Sequence, residues 1–286
     1  ALAALPLWAM AATPWATATI VEGEVQLVRE AVNHTLTEGA RLSREDILHT
    51  GPASRLVRVE FADGVIFDLG PETRLMLAPP ARARGKTMAR AYLLRGLVKV
   101  GLPAGKAPDD TLLVSPPLEL TRVSRGVVLK VSPNEAALFA ESGEASLAER
   151  HDGRAQPPTS LRNGQFYQRV GDGRAQVSGR PAAAFIQALP RPFLDTLPSR
   201  LGRWSARETS PRRIGALTYG DAQPWLDAEP ALRAAFVTRW RGLAKDPTFR
   251  AGLVADMSAH PEWDRVLFPE KYRPKPPAAP SPAASR

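Results

Sequence analysis

Cysteine is absent from this chain of 286 residues. That lack removes disulfides, thiolate metal sites and cysteine nucleophiles together. It leaves the compartment open, because an exported protein with a large enough core folds without bridges. Long uncharged runs are scarce too: the one stretch of membrane-spanning length without a charge is residues 1–21, ALAALPLWAMAATPWATATIV. Catalytic signatures are missing. No HExxH, GxSxG, Walker or GxGxxG pattern occurs, and Gly171-Asp172-Gly173 fails the last at once. His34, His49, His151 and His260 stand far apart, without metal-ligand spacing. Glu45 and Asp46 are adjacent, so on a strand they face opposite ways, which does not suit a carboxylate pair. His49 beside Asp46 reads as a surface polar pair. No catalytic residue, cofactor or metal ligand is assigned, and the chain is read as non-enzymatic.

What is present describes a globular protein: 44% hydrophobic and 23% charged residues. The net charge of +9 is carried mainly by arginine spread along the chain. Nucleic-acid binders gather such charge into a stripe with interleaved aromatics. No stripe is visible, so no nucleic-acid partner is expected, and the arginines read as a solvated surface. The charge is compatible with an anionic envelope surface.

The clearest pattern lies in residues 38–77. Val57, Val59 and Phe61 alternate with Arg58 and Glu60, as on a strand with one wet face. Beyond Asp63-Gly64, Val65, Phe67 and Leu69 alternate with Ile66 and Asp68. A two-residue turn would set Val59 opposite Asp68 and mix apolar with charged residues on one face. A three-residue loop, Ala62-Asp63-Gly64, pairs Phe61 with Val65, Val59 with Phe67 and Val57 with Leu69. Register follows burial, so the longer loop is predicted, with Gly64 in the left-handed region. Asp63 and Gly64 are thereby assigned backbone roles.

A form Gly-x-apolar-x-apolar opens strands at Gly23, Gly96 and Gly143, with a looser version at Gly126. The spacing is irregular, which excludes a fixed solenoid period but fits an all-β domain of short strands opened by glycine turns. Asn163-Gly164 is a further turn, before the strand containing Phe166 and Tyr167. Residues 79–90 form a basic loop and residues 103–110 a polar one.

This series resembles the FecR family. That family shows a Gly-x-Val strand, then EG..L..GD.L.T, then S...V.F.DGS...L.P.S.L.L. Glu38-Gly39, Leu42, Asp46, Leu48, Thr50, Ser54, Val59, Phe61, Asp63-Gly64, Leu69, Pro71 and Leu75 stand in those places, and Leu161, Gly164 and Gln165 match the final L..GQ strand. Glu45, Val65 and Val127 depart from it. The resemblance covers roughly residues 21–169 and implies a periplasmic β domain, of sandwich or solenoid type. It belongs to regulators that pass a signal from an outer-membrane receptor to a sigma factor. In those regulators a helical anti-sigma domain and a membrane span come first; here the β pattern begins near Val21, leaving this sequence no such domain.

The expected organisation has four parts. Residues 1–18 are a partial signal peptide, with Ala16-Thr17-Ala18 as a small-x-small cleavage site. An uncleaved anchor is the alternative; it needs ~20 apolar residues, and Pro6 and Pro14 interrupt it. Residues 19–178 are the FecR-like β domain. Residues 179–272 are a proline- and arginine-rich connector and a helical hairpin. That hairpin has Pro230 opening one helix and Asp246-Pro247 capping the next. Residues 273–286 are a disordered Pro/Ala-rich tail. The fold class is mainly β with a C-terminal α segment. The function expected is an interaction or sensory module in the periplasm, its partner another envelope protein met through a strand edge or the Arg-rich connector. The alternatives are a membrane-anchored sigma-factor regulator whose cytoplasmic part lies outside this sequence, and a polysaccharide- or peptidoglycan-associated envelope protein.

Overall fold

In the computed structural model, residues 15–80, 89–106 and 111–273 are described. The protein is mainly β with C-terminal helices, as the alternation patterns predict. Two compact units are present, Ala1–Leu217 and Thr218–Arg286.

The strands in chain order begin with β1 (Ala16–Glu22), β2 (Val25–Arg29), β3 (Val32–Thr35), β4 (Arg41–Leu42), β5 (Ile47–Thr50), β6 (Leu56–Phe61) and β7 (Ile66–Leu69). They continue with β8 (Arg74–Leu77), β9 (Ala91–Gly101), β10 (Leu113–Val114), β11 (Leu118–Val123), β12 (Gly126–Ser132) and β13 (Glu135–Ser142). The last are β14 (Ala145–His151), β15 (Arg154–Ala155), β16 (Thr159–Leu161), β17 (Phe166–Val170), β18 (Gln176–Ser178) and β19 (Arg212–Ala216). Their pairings make two sheets. The first runs β4-β1-β6-β7-β9-β12-β13-β17-β18. The second runs β19-β3-β2-β5-β8-β9-β10-β11-β14-β16, and β15 adds to β14.

β9 belongs to both sheets. Its first residues pair with β8 and β10, and residues 96–101 pair with β12. The crossing falls at Gly96, whose φ is +116°. The same device recurs between β1 and β2 at Gly23 (φ +118°) and between β13 and β14 at Gly143 (φ +74°). These are the three glycines that open the Gly-x-apolar repeats. Each abuts a hydroxyl residue of the neighbouring corner. Ser54 Oγ donates to the Glu24 carbonyl at 2.8 Å. Leu97 N–H donates to Thr73 Oγ1 at 3.0 Å. Glu144 N–H donates to Ser124 Oγ at 2.6 Å. A Cβ on Gly96 would collide with the Thr73 backbone. Glycine is needed twice over there, for the positive φ and for the approach.

The β6–β7 register is the one the apolar phase predicts: Val57 opposite Leu69 and Val59 opposite Phe67. Phe61 N–H donates to the Val65 carbonyl at 2.9 Å, closing the three-residue loop, and Gly64 has φ +85°. Val57, Val59, Phe61, Phe67 and Leu69 join Leu27, Leu48 and Leu75 from the second sheet in one core.

Three expectations are corrected. The first strand begins at Ala16 rather than after Gly23, and Ala16, Thr17 and Ala18 are buried and paired with β6. A cut after Ala18 would remove the first part of that strand. Residues 1–14 lie outside the described residues. The short helix expected between Pro181 and Leu189 is present as α1 (Ala183–Gln187), but the connector after it is not a separate part: α2 (Arg191–Leu194) and β19 also fall within the first unit, which runs to Leu217 rather than 178. Finally, the face of β6 and β7 expected to be wet is buried, with Arg58 3%, Glu60 1% and Asp68 4% exposed.

The second unit holds α3 (Tyr219–Leu226), α4 (Pro230–Arg239), α5 (Pro247–Ala255) and α6 (Asp264–Leu267). Pro230 and Pro247 occupy first-turn positions, where no backbone N–H is missed. The Asp246 side chain accepts from Phe249 N–H at 2.8 Å. α3, capped by Thr218, is a helix beyond the predicted pair. Phe236 and Trp240 stack at 4.2 Å and are buried with Trp225 and Trp263. These aromatics are core of the second unit. Among the described residues no helix is long and apolar enough to cross a membrane. The tail from 274 onward and most of the basic loop, residues 81–88, lie outside the described residues, as do residues 107–110 of the polar loop.

Two glycines of β9 make a paired test. Gly96→Ala is expected to cost at least on the order of 1–3 kcal/mol through backbone strain alone, visible in chemical denaturation. Gly101→Ala, whose Cβ would meet nothing within 4 Å, is expected to stay within about 0.5 kcal/mol of the parent.

Candidate functional site

The turn residues singled out in the sequence do not converge on one place. Gly96 and Gly143 sit at sheet corners, and Gly126 opens β12 opposite Gly101 and Ser142. Gly164 follows Asn163 with φ +82°, and its N–H donates to the Ala140 carbonyl at 2.8 Å. Asp63 does more than turn the chain. Its carboxylate takes Arg90 through two hydrogen bonds, at 3.1 and 2.8 Å, and Lys106 at 2.8 Å. Partial burial pulls the Asp63 pKa up, but Lys106 and Arg90 outweigh it and hold the group below its ordinary value. Arg90 also lies 4.8 Å from the Phe61 ring centroid.

The histidines stay apart. His49 Nδ1 lies 3.1 Å from Gln26 Oε1, while Asp46 is gripped by Arg29 at 2.9 and 2.6 Å, so the Asp46–His49 pair is replaced by an Arg29–Asp46 pair. His260 is buried in the second unit against the Leu253 carbonyl. Among the described residues no group of three or more His, Asp or Glu could hold a metal.

The densest buried polar arrangement lies instead on the outer face of the first sheet. Arg58 and Asp68, directly opposite on β6 and β7, form a two-point ion pair at 2.7 and 2.8 Å. Burial alone pulls the Arg58 pKa down, but Asp68 and Glu60 outweigh it and hold it above its ordinary value. Glu60 accepts from Thr19 Oγ1 at 2.6 Å. Lys99 on β9 pairs with Glu141 at 2.8 Å.

Residues 183–217 lie across this row as a strap. Phe185, Leu189 and Phe193 pack on Ile20, Leu56, Leu97, Val128, Ala137 and Phe166, the apolar part of that face. Where α1 meets the Gly96 corner a largely apolar cleft of about 330 Å³ opens, lined by Pro71, Leu97, Val131, Pro133, Phe185 and Leu189. Lys99 Nζ then donates to the Phe193 carbonyl at 2.7 Å. Arg58 Nη1 donates to the carbonyls of Leu197 and Pro198, at 3.0 and 3.1 Å. Glu60 accepts from Arg200 N–H at 2.8 Å and from the Ser199 hydroxyl. Arg41 donates to the Trp204 carbonyl at 2.8 Å, and the Trp204 ring fills the place a Cβ on Gly39 would take. The strap thus crosses from β17 to β4, then passes to the second sheet, where it ends as β19 against β3.

β19 has no partner on its other side among the described residues. Arg212 and Arg213 are exposed, Ile214 is 61% exposed, and neither arginine has an ion-pair partner among the described residues. Sequence reasoning missed both the charged row and this strand. The Arg58–Asp68 opposition was derivable from the predicted register; its burial was not.

No family model matches the chain, and no curated protein matches it. Two crystal structures of a protein described as a "putative anti-sigma factor", from Parabacteroides distasonis ATCC 8503, are similar in structure. Their identities to this chain are 10% and 11%, their TM-scores 0.39 and 0.38. Each match covers 50% of this chain, which spans only 64% and 65% of those structures. At such scores the likeness carries no argument about fold or function.

Asp68→Asn leaves Arg58 buried without its counter-charge and is expected to cost about 3–5 kcal/mol, measured as a lower denaturation midpoint. Asp63→Asn tests the exposed pair by pH. Since the folded pKa of Asp63 lies below 3.8, its pairing stabilises the fold above that pH and fades as pH falls through the folded value. The variant should be less stable than the parent at pH 7, by about 1 kcal/mol or less for a pair this exposed, and the difference should shrink as pH falls below 3.8.

Proposed function

We propose that this chain is a non-catalytic interaction or sensory module of the cell envelope, working in the periplasm and binding another envelope protein. Two sequence features support the setting. One is the ordered FecR-like series from Glu38 to Leu75; the other is the uncharged, largely apolar stretch ahead of β1, residues 1–15.

The observation that carries the interaction reading is the outer edge of β19. A strand edge offers unpaired N–H and C=O groups to any extended segment of the right length. Natural proteins blunt such edges with charge, and Arg212 and Arg213 do this against a second copy of themselves. The same two charges select for an acidic segment. Ile214 supplies an exposed apolar contact beside them. The two contact modes expected from the sequence, a strand edge and the Arg-rich connector, are one element here. The partner that fits is an extended, acidic segment of another envelope protein, added as the next strand of the second sheet.

A photo-crosslinking residue at Ile214 in the exported protein is expected to capture a discrete partner through an acidic segment. The same residue at Arg174, in the turn after β17, should not. Capture should fall when Arg212 and Arg213 are changed to Glu. Equal capture from both positions, or capture indifferent to the arginines, would reject the edge as the contact.

A further inference from the structure

The strap has two chemically different halves. From Phe185 to Phe193 it is held by apolar side chains in a shared cluster. From Leu197 to Trp204 it is held chiefly by its main chain. Carbonyls of Leu197, Pro198 and Trp204 accept from Arg58 and Arg41, and the Arg200 N–H donates to Glu60. Side-chain recognition comes from the Ser199 hydroxyl on Glu60, the Trp204 ring over Gly39 and Leu197, which packs beside the apolar cluster. Main-chain capture with pockets for occasional side chains is a recurring way of binding short peptide segments.

The surface beneath suits repeated opening. Lifting residues 197–204 uncovers Arg58, Asp68 and Glu60, which water solvates. Lifting the other half would expose Phe185 and Phe193, which water does not. Arg58 keeps Asp68, and Glu60 keeps Thr19, whether or not the strap is down. The row is therefore assembled before anything lands on it, which lowers the cost of binding.

We propose that this face of the first sheet is a peptide-binding site, filled in this chain by its own residues 197–204. In trans it takes a segment of the same chemistry, open over the places of Leu197–Ser199 and closed into a 3-10 turn over those of Leu201–Trp204: an apolar residue, proline, serine, a free main-chain N–H, then an aromatic. The strap is then an internal occupant that a partner's segment must displace. This goes beyond the β19 edge, uses other residues and does not rest on it.

A fluorescent peptide with the sequence of residues 197–204, LPSRLGRW, titrated into the full chain and into its Arg200→Pro variant tests this. The substitution deletes the N–H that Glu60 holds and leaves the apolar half in place. An internal occupant lowers apparent affinity by the fraction of time the site is open, so the variant should bind the peptide at least about ten-fold more tightly. A scrambled peptide should not bind, and Glu60→Ala in the variant, which deletes the acceptor, should abolish the gain. Equal affinity of parent and variant, or binding untouched by Glu60→Ala, overturns the proposal. Hydrogen exchange on the unmodified chain keeps the test open if a variant fails to fold. The Arg200 amide should exchange by local opening, about 100-fold or more faster than the β6 amides. Exchange of both only in global unfolding means the site never opens, and overturns it equally.

Discussion

The first unit depends on a row of charges that has been taken out of water. Arg58, Asp68 and Glu60 lie on the outer face of a sheet where alternation would place solvent, yet each is nearly inaccessible. Ions removed from water cost several kcal/mol each unless every charge finds a partner and the remaining donors and acceptors are used. Here they are: Asp68 takes two N–H groups of Arg58, a third goes to two strap carbonyls, and Glu60 takes Thr19, Ser199 and the Arg200 amide. The strap completes this set. Its own backbone would otherwise be proline-interrupted chain with carbonyls and no sheet to join.

The corners solve a different problem with equal economy. Two sheets built from one continuous path need strands that turn from one layer into the other without losing a backbone partner. At Gly23, Gly96 and Gly143 a positive φ makes the turn, and a serine or threonine of the adjacent corner bonds the residue that follows. The glycine and the hydroxyl are one device: the missing Cβ is what lets Ser54, Thr73 or Ser124 approach. β9 carries the device mid-strand, so the Gly96 corner ties both layers to a single segment.

Much of this was legible in the sequence, and the boundary of legibility is physical. The β6–β7 register followed from phase alone, because only one loop length keeps Phe61 and Phe67 on the same face. The Gly-x-apolar repeats marked the corners. The helix starts at Pro230 and Pro247 followed from local stereochemistry. What failed were judgements about distant covering. Arg58 and Glu60 read as solvent-facing because the groups that cover them stand 139 and 140 residues away. The covering segment in turn read only as a proline- and arginine-rich connector, since such a composition carries no periodic signal. Ala16-Thr17-Ala18 shows the same limit: small residues satisfy a cleavage rule and a tightly packed strand equally well, and only the partner strand decides. α3 was missed because Gly220 and Pro224 lower helix propensity locally, while Trp225 and Leu226 are buried and hold it from the other side.

One strand of chain serves both the charged row and the exposed edge, and that has a mechanical consequence. Between Arg200, bonded to Glu60, and Arg212, the first residue of β19, the path is pinned at short intervals. Trp204 is held by Arg41 and Gly39, and Thr209 donates to the Glu38 carbonyl at 2.5 Å and bridges to Ala40. A segment attached so closely has little slack, so a displacement at β19 is taken up by these attachments before it is lost in loop freedom. Coupling of that kind needs an element with two accessible arrangements. If the polar half of the strap opens as proposed, it is that element, because the row beneath it is internally paired. Occupancy of the β19 edge would then be read as a change on the opposite sheet, with no moving part larger than the eight residues from 197 to 204.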